Sequence, residues 1–328
     1  MRPNKNILLT FDYEPYLGKK SGSAKKCVIE PTNALLSIVK KYNAKCVFFV
    51  DLLYVSYLKK IPDLHLDFEA IKAQLILLNK NGHFIFPHIH PHWIDSVYIK
   101  EEKQFDLSNL SRYSLSMFSV SEINDLFTEA IRLLNDIGIS YNAYGYRAGG
   151  WCIQPFCNFK DIFLRNNIIS EFSVLPGYKN KSMTQAFDFS DVTTNKPYLF
   201  SDRVEIPDIK GLFKEFPIST IYCNGSVVLQ DKIVKKYLWK TGDRGWGDGI
   251  SADTASFKSN SNNQEMISID ILTIAKLKLY KSYINKNDYM HWISHPKMFT
   301  HHGLYTFEKF LKYCHSHFNV EYDFNKMI

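Results

Sequence analysis

The sequence predicts an α/β fold, in which a parallel sheet is surrounded by helices and is most economically closed as a barrel. Short apolar runs that fit buried strands alternate with segments whose apolar residues recur at helical spacing. The chain has 328 residues, of which 45% are hydrophobic, and no repeat or low-complexity linker divides it. We therefore expect a single domain over residues 1–328, built from roughly seven βα units.

The elements follow from these patterns in order. The apolar runs give predicted strands at residues 6–11, 46–50, 84–86, 143–146, 168–174, 215–218 and 289–293. Helical spacing, capping residues and closing glycines predict helices at residues 31–42, 67–82, 119–138, 159–165, 266–284 and 306–318. Two stretches interrupt the alternation, at residues 96–118 and 176–262, and we interpret both as variable excursions near the site.

Three histidines stand at alternate positions where the third predicted strand ends. They are His88, His90 and His92 in the segment GHFIFPHIHPHWID, which also contains His83. Imidazole is a common zinc ligand, and several rings at short spacing can converge on one ion. A lone histidine is more often a core residue, and a surface cluster can bind metal without a function. The strand-like run before these histidines favours a ligand site.

Two carboxylates follow the first predicted strand. Because alternate side chains of a strand share a face, Asp12 and Glu14 can point the same way while Tyr13 points away. A turn or a helix cap would explain the same residues without a function. In a parallel barrel, however, the carboxyl ends of the strands are where active sites form.

Two further segments carry candidate binding residues. The fourth strand is followed by Arg147, Ala148, Gly149, Gly150 and Trp151, where the glycines permit close backbone approach beside a cation and an indole. The glycine-rich loop at residues 241–250 contains Trp246 and does not match a phosphate-binding motif. We interpret it as a flap over a substrate, although an ordinary surface loop fits equally well.

Charge and cysteine content narrow the class of protein. The net charge is +7, but the lysines are scattered and form no dense stripe, so we expect no nucleic-acid partner. Mild basicity could still help to hold an anionic sugar precursor or a membrane face. The six cysteines include no C-x-x-C pair and are interpreted as reduced. With no signal peptide or membrane span recognisable, the default prediction is a cytoplasmic protein, with peripheral membrane association possible.

Four segments in order carry a resemblance to a known family. The segments TFDYE, GHFIFPHIHPH, YRAGGW and ISHP resemble the motifs of the polysaccharide deacetylase family, the NodB homology domain or carbohydrate esterase family 4. The resemblance spans the first to the seventh strand. It implies a distorted (β/α)7 barrel.

The resemblance also implies roles for individual residues. Asp12 matches the catalytic base, Arg147 the residue that orients it, and His295 the general acid. The family's second Asp, a metal ligand, is replaced here by Tyr13, so the resemblance assigns the ligand role to Glu14, with Asp12 as the alternative ligand. The two histidine ligands match His88 and His92, with His88 and His90 as the rival pairing.

The remaining motifs match less well. Gly149 replaces the usual Pro beside the motif's Arg, and Trp151, Gly149 and Trp246 are the predicted substrate-binding residues. The fourth motif has no clear match, and Glu171, Glu215 and Trp246 are its weak candidates.

The resemblance implies a metal-dependent deacetylase that removes an N-acetyl group from a sugar or glycan precursor in the biosynthesis of a surface polysaccharide such as O-antigen or capsule. The expected metal is Zn²⁺, with Co²⁺ or Ni²⁺ as alternatives. The expected partner is an N-acetylated sugar, nucleotide sugar or lipid-linked glycan. Hydrolysis of a small non-sugar amide or formamide, and a non-catalytic carbohydrate-binding barrel, are the alternative functions.

Overall fold

A nine-stranded sheet and the helices around it make up most of the computed structural model, which describes residues 2–182, 184–251, 258–259 and 263–328. The strands of this sheet are β1 (Asn4–Tyr13), β2 (Val47–Asp51), β3 (Phe84–Ile89), β4 (Tyr144–Ala148), β5 (Ile168–Glu171), β6 (Tyr198–Phe200), β7 (Phe213–Glu215), β8 (Tyr289–Ser294) and β9 (Asn319–Glu321). The helices are α1 (Glu30–Val39), α2 (Leu52–Lys60), α3 (His65–Lys80), α4 (Val120–Asp136), α5 (Lys160–Arg165), α6 (Gly225–Lys240), α7 (Leu277–Lys286) and α8 (His301–His317). Within those ranges, none of the helices has both the length and the apolar character that crossing a bilayer requires.

The sheet is parallel through its centre. The strand order is β6-β7-β5-β4-β3-β2-β1-β8, with β9 also pairing with β1, and the β6–β7 pair is antiparallel. Each predicted strand has a counterpart in this sheet, so the predicted parallel α/β architecture is confirmed. β1 to β3 and β8 are buried over almost their whole length, as parallel strands covered on both faces should be.

The sheet curls into a distorted barrel rather than closing by a regular ladder. After β7 the chain leaves the ladder and runs between β5 and β8. The Ile218 N–H donates to the Val174 oxygen at 2.9 Å, and the Ser219 N–H donates to the His291 oxygen at 3.2 Å. The predicted sixth strand therefore ends earlier than expected, at Glu215, since Pro217 has no N–H to continue a ladder.

The two excursions contain short antiparallel pairings. In the first, Val97–Ile99 pairs with Gln104–Asp106. In the second, Tyr178–Lys181 pairs with Ala186–Asp188 and with Lys258–Ser259, and Thr220–Tyr222 pairs with Gln264–Met266. Residues 183, 252–257 and 260–262 of this second excursion lie outside the described residues.

The helix predicted at residues 266–284 is wrong in its first half. In the structure α7 begins at Leu277, while Ile267 is held in an extended segment. Its N–H donates to the Ser219 oxygen at 2.9 Å and its oxygen accepts from the Ile293 N–H at 3.1 Å. These contacts with the barrel override the local helical pattern. This difference affects the site, because the segment that is extended rather than helical contains Asp270.

Candidate active site

The predicted site residues converge at the carboxyl ends of the parallel strands. Asp12 lies in β1 with Glu14 just beyond it, His88 lies in β3, Arg147 in β4, and His295 directly after β8. Asp12, Glu14, His88 and Arg147 are buried, and His295 is partly exposed. The sheet therefore brings together residues that are far apart in sequence.

Glu14, His88 and His90 form a buried group that can hold a metal ion. The Oε2 atom of Glu14 lies 2.9 Å from Nε2 of His90 and 3.2 Å from Nε2 of His88, and the possible ligand atoms all lie within 4.8 Å of one another. Two imidazoles and a carboxylate are a donor set typical of catalytic zinc sites. The residues therefore fit the predicted metal.

The tautomer of His88 also fits a role for this residue as a metal ligand. Its Nδ1 lies 2.7 Å from the backbone oxygen of Arg147. A carbonyl oxygen can only accept, so Nδ1 carries the hydrogen and Nε2 of the neutral ring keeps its lone pair for a ligand. Burial lowers the pKa of His88, but the hydrogen bond to Glu14 and the charge of Asp12 outweigh it and raise the pKa to about 9, so at neutral pH Nε2 also carries a proton, which a metal ion has to displace.

His92 does not join this group, in contrast to the predicted pairing. Pro91 starts a 3₁₀ turn, so the alternation of the strand ends before His92 and only His88 and His90 share a face. The ring of His92 stacks on Tyr113 with centroids 4.9 Å apart, and its nitrogens have no hydrogen-bond partner among the described residues. Burial, assisted by His90, lowers its pKa to about 3. The rival pairing of His88 with His90 is the one that the geometry favours.

Asp12 is bound to Arg147 rather than to the histidines. Nη1 of Arg147 lies 2.5 Å from Oδ1 of Asp12, while its Nη2 donates to Oγ1 of Thr10 at 2.7 Å and its Nε to the oxygen of Phe172 at 3.1 Å. Burial raises the pKa of Asp12, but the Arg147 charge contributes to a net lowering. The carboxylate is thus ionised and fixed in direction.

His295 faces Asp12 and is held by a residue that the sequence did not reveal. Nε2 of His295 lies 3.6 Å from Oδ2 of Asp12. On its other side, Nδ1 lies 2.6 Å from Oδ2 of Asp270, and the His295 backbone N–H donates to Oδ1 of Asp270 at 2.8 Å. The alternation of buried Ile267 and Ile269 with polar neighbours was the available signal for an extended segment here.

Lys297 is a second residue that sequence reasoning missed. Its buried ammonium group donates to Oε1 of Glu14 and to the backbone oxygen of Pro15, both at 2.7 Å. Burial raises the pKa of Glu14, but the charges of Lys297 and His90 outweigh it and hold the pKa well below its usual value. Glu14 is therefore ionised, with one oxygen on the lysine and the other facing the histidines.

These groups line one cavity of about 300 Å³. Its wall includes Asp12, Glu14, His88, His90, Tyr113, Trp151, Asp270, His295 and Lys297. The predicted binding residue Trp151 is among them. Gly149 instead allows the His90 ring to approach closely, because a Cβ there would lie 2.8 Å from Nδ1 of His90.

Trp246 is not among the residues that line the cavity, so its contact with substrate remains a prediction. Its indole N–H donates to Oε2 of Glu30 at 3.4 Å, and its ring lies 4.4 Å from that of His301. Glu171 and Glu215, the other fourth-motif candidates, are buried outside the cavity wall, where burial raises the pKa of both. Neither contacts His295, whereas Asp270 does.

Comparison with known proteins gives the class of fold. No family model matches the chain, and no curated protein does. Among solved structures, a protein assigned as a polysaccharide deacetylase from Mycobacterium smegmatis is similar with a TM-score of 0.51 at 14% identity, over 97% of this chain and 86% of that one. A 4-alpha-glucanotransferase from Thermococcus litoralis is similar with a TM-score of 0.50 at 10% identity, over 98% of this chain and 39% of that one.

The chain thus has the NodB-type fold of the polysaccharide deacetylases, and the resemblance seen in its four segments is confirmed at the level of the fold. At sequence identities of 14% and 10%, the structural similarity establishes the fold alone.

Proposed function

We propose that the protein is a metal-dependent hydrolase that removes an N-acetyl group from a sugar of a glycan or of its precursor. The observation that carries this proposal is the arrangement of three groups around one cavity. A carboxylate with two imidazoles, an arginine-bound aspartate and an aspartate-bound histidine all line it. Such a combination of metal ligands, base and acid suits the hydrolysis of an amide.

Glu14, His88 and His90 would hold the metal, for which we propose Zn²⁺. When bound, such an ion polarises the amide carbonyl and lowers the pKa of water. The donor set is equally compatible with Co²⁺ or Ni²⁺. Lys297 leaves Oε2 of Glu14 directed at the histidines, because it occupies Oε1.

Asp12 and His295 would move the protons of the reaction. Asp12, kept ionised by Arg147, accepts a proton from the attacking water as the new C–O bond forms. His295 donates a proton from Nε2 to the sugar nitrogen as the C–N bond breaks, releasing acetate and the free amine. Asp270 fixes the His295 ring in the orientation that this transfer needs, because it binds Nδ1.

The shape of the site supports a sugar as the substrate. A cavity of about 300 Å³ is at the small end of ligand sites and suits one sugar residue with its acetyl group. The indole of Trp151 in its wall can stack on a sugar ring. We propose a nucleotide-sugar or lipid-linked precursor in surface-polysaccharide biosynthesis as the substrate, and a cytoplasmic location remains a prediction.

Acetate release from N-acetylated substrates tests this proposal. The protein would be incubated with an N-acetylated nucleotide sugar, with short N-acetylglucosamine oligomers and with simple formamides. We expect acetate from a sugar substrate, and a loss of kcat of about 10²- to 10⁴-fold in Asp12→Asn. Asp136→Asn, at an ion pair with Lys59 on the surface, is the matched control and should keep full activity. Hydrolysis of the formamides alone, or full activity of Asp12→Asn, would contradict the proposal.

A further inference from the structure

The outer face of α6 exposes an unusual row of apolar side chains. Leu229, Ile233 and Tyr237 are 60%, 61% and 66% exposed, and they follow one another at intervals of four residues. This spacing places them side by side along the helix. Of the sixteen residues of α6, the helix buries only Asp231 and Leu238. The exposed row is therefore a continuous feature of the helix surface.

A row of lysines runs beside the apolar row. Lys232, Lys236 and Lys240 have the same spacing of four and are all exposed. Within the part of the chain that the structure describes, these lysines have no ion pair. The one acidic residue of α6, Asp231, lies on the buried face, where it binds Thr273, Lys235 and Lys276. The outer face of α6 is thus apolar and cationic, and the helix itself places no carboxylate on that face.

We propose that this face of α6 docks on an anionic membrane surface. A helix that lies in the membrane interface combines an apolar row, which enters the boundary of the acyl region, with lysines that meet the phosphate groups. Trp239, 46% exposed at the end of α6, adds an aromatic side chain of the kind enriched at that depth. A second copy of this face would be a poorer partner than an anionic membrane, because pairing two such helices would bring their positively charged lysine rows together.

The chain connects this face to the cavity by a short path. The loop at residues 241–250 follows α6 directly, and the Gly247 N–H donates to the backbone oxygen of Lys297 at 2.9 Å. Lys297 lines the cavity. If the proposed deacetylase function holds, docking through α6 favours a glycan carried on a membrane lipid over a free nucleotide sugar. The docking itself does not depend on that function.

Vesicle sedimentation with the whole protein tests the proposal. We expect binding to phosphatidylcholine vesicles that contain phosphatidylserine, little binding to phosphatidylcholine alone, and weakening by added salt. The triple variant Lys232→Gln, Lys236→Gln, Lys240→Gln should lose about a hundredfold in affinity. The triple variant Leu229→Ser, Ile233→Ser, Tyr237→Ser should also bind weakly. Ile209→Ser, at a residue that is 91% exposed on another segment, should bind as the original chain does.

Three results would overturn the proposal. The first is no binding to anionic vesicles at low salt, and the second is unchanged binding in both triple variants. The third is a dimer in analytical ultracentrifugation that disappears in the same variants, which would assign the face to a second copy. Acetate release from a soluble substrate should be the same in all these variants. A failure of membrane docking is therefore distinguishable from a failure of the proposed enzymatic function.

Discussion

Asp270 holds His295 by two hydrogen bonds, one to the ring and one to the backbone. Its Oδ2 lies 2.6 Å from Nδ1 and its Oδ1 accepts from the main-chain N–H at 2.8 Å. The ring can then neither flip nor turn without breaking a charged contact. Nε2 is left facing Asp12 at 3.6 Å, which is where the proposed proton donor has to be.

Removing the charge of Asp270 should change the pH profile of the reaction. Burial lowers the pKa of His295, but Asp270 outweighs it and the net pKa is raised. A general acid works only while protonated, so activity is lost as the pH rises through this pKa. In Asp270→Asn the pKa falls, and the basic limb of kcat against pH should move to lower pH, with kcat reduced by about 10- to 100-fold.

The matched control for this profile is Asp243→Asn, because Asp243 accepts from the backbone of His301 and His302 and lies outside the cavity wall. Its pH profile should match that of the original chain. A basic limb that stays in place in Asp270→Asn would show that Asp270 does not act through His295.

Lys297→Met should lower the stability of the metal-free protein and should increase the stabilisation that added zinc provides. The substitution leaves the buried charge of Glu14 without its ammonium partner, at a cost of about 3 to 5 kcal/mol in the free energy of unfolding. It also removes a positive charge beside a proposed ligand, so zinc should bind more tightly and restore more stability than in the original chain. Urea unfolding with a chelator and with added zinc measures both effects.

Lys276→Met is the matched control, because Lys276 is a similarly buried lysine paired with Glu265 and Asp231 away from the site. It should be destabilised without any extra response to zinc. An equal zinc response in the two variants would contradict the account of Lys297.

His83 gives a pH dependence of stability that is separate from the site. It precedes β3, and its Nδ1 accepts from the Cys46 N–H at 3.1 Å, which protonation would prevent. Burial, together with Lys45, lowers its pKa to about 4. Because an unfolded histidine titrates at about 6.5, the unfolded state binds more protons between these values and stability falls as the pH is lowered through them.

His83→Asn keeps an acceptor near the position of Nδ1 and removes the titration. Between pH values of about 6.5 and 4, the original chain should lose about 3 kcal/mol more stability than this variant. Urea unfolding in the presence of a chelator measures the difference. His65→Asn, at an exposed histidine, should follow the original chain. If the free energy of unfolding changed with pH by the same amount in His83→Asn and in the original chain, the prediction would be contradicted.

The sequence predicted the strands well because parallel strands buried on both faces read as continuous apolar runs. Strands β1, β2 and β8 overlap their predicted ranges for this reason. Asp12 and Arg147 directly follow predicted apolar runs and His295 lies two residues after one, so their location at the carboxyl edge of the sheet could be predicted, while their roles remain predictions. Position relative to a strand end was therefore sufficient to place these residues at that edge of the sheet.

The structure departs from the expectations drawn from the sequence where tertiary contacts determine the position of a side chain. His92 was preferred to His90 because the resemblance supplied a spacing, whereas Pro91 ends the alternation of the strand. Asp270 and Trp246 lie on loops whose positions depend on contacts with distant segments. No local pattern could place either side chain relative to the cavity.

The identity of the metal group is the central claim, and metal content tests it most directly. Elemental analysis of the purified protein, of His90→Ala and of His92→Ala would be compared after equal exposure to zinc. The geometry predicts about one ion per chain in the original protein and in His92→Ala, and loss of the ion in His90→Ala. Retention of metal by His90→Ala together with its loss from His92→Ala would contradict the account.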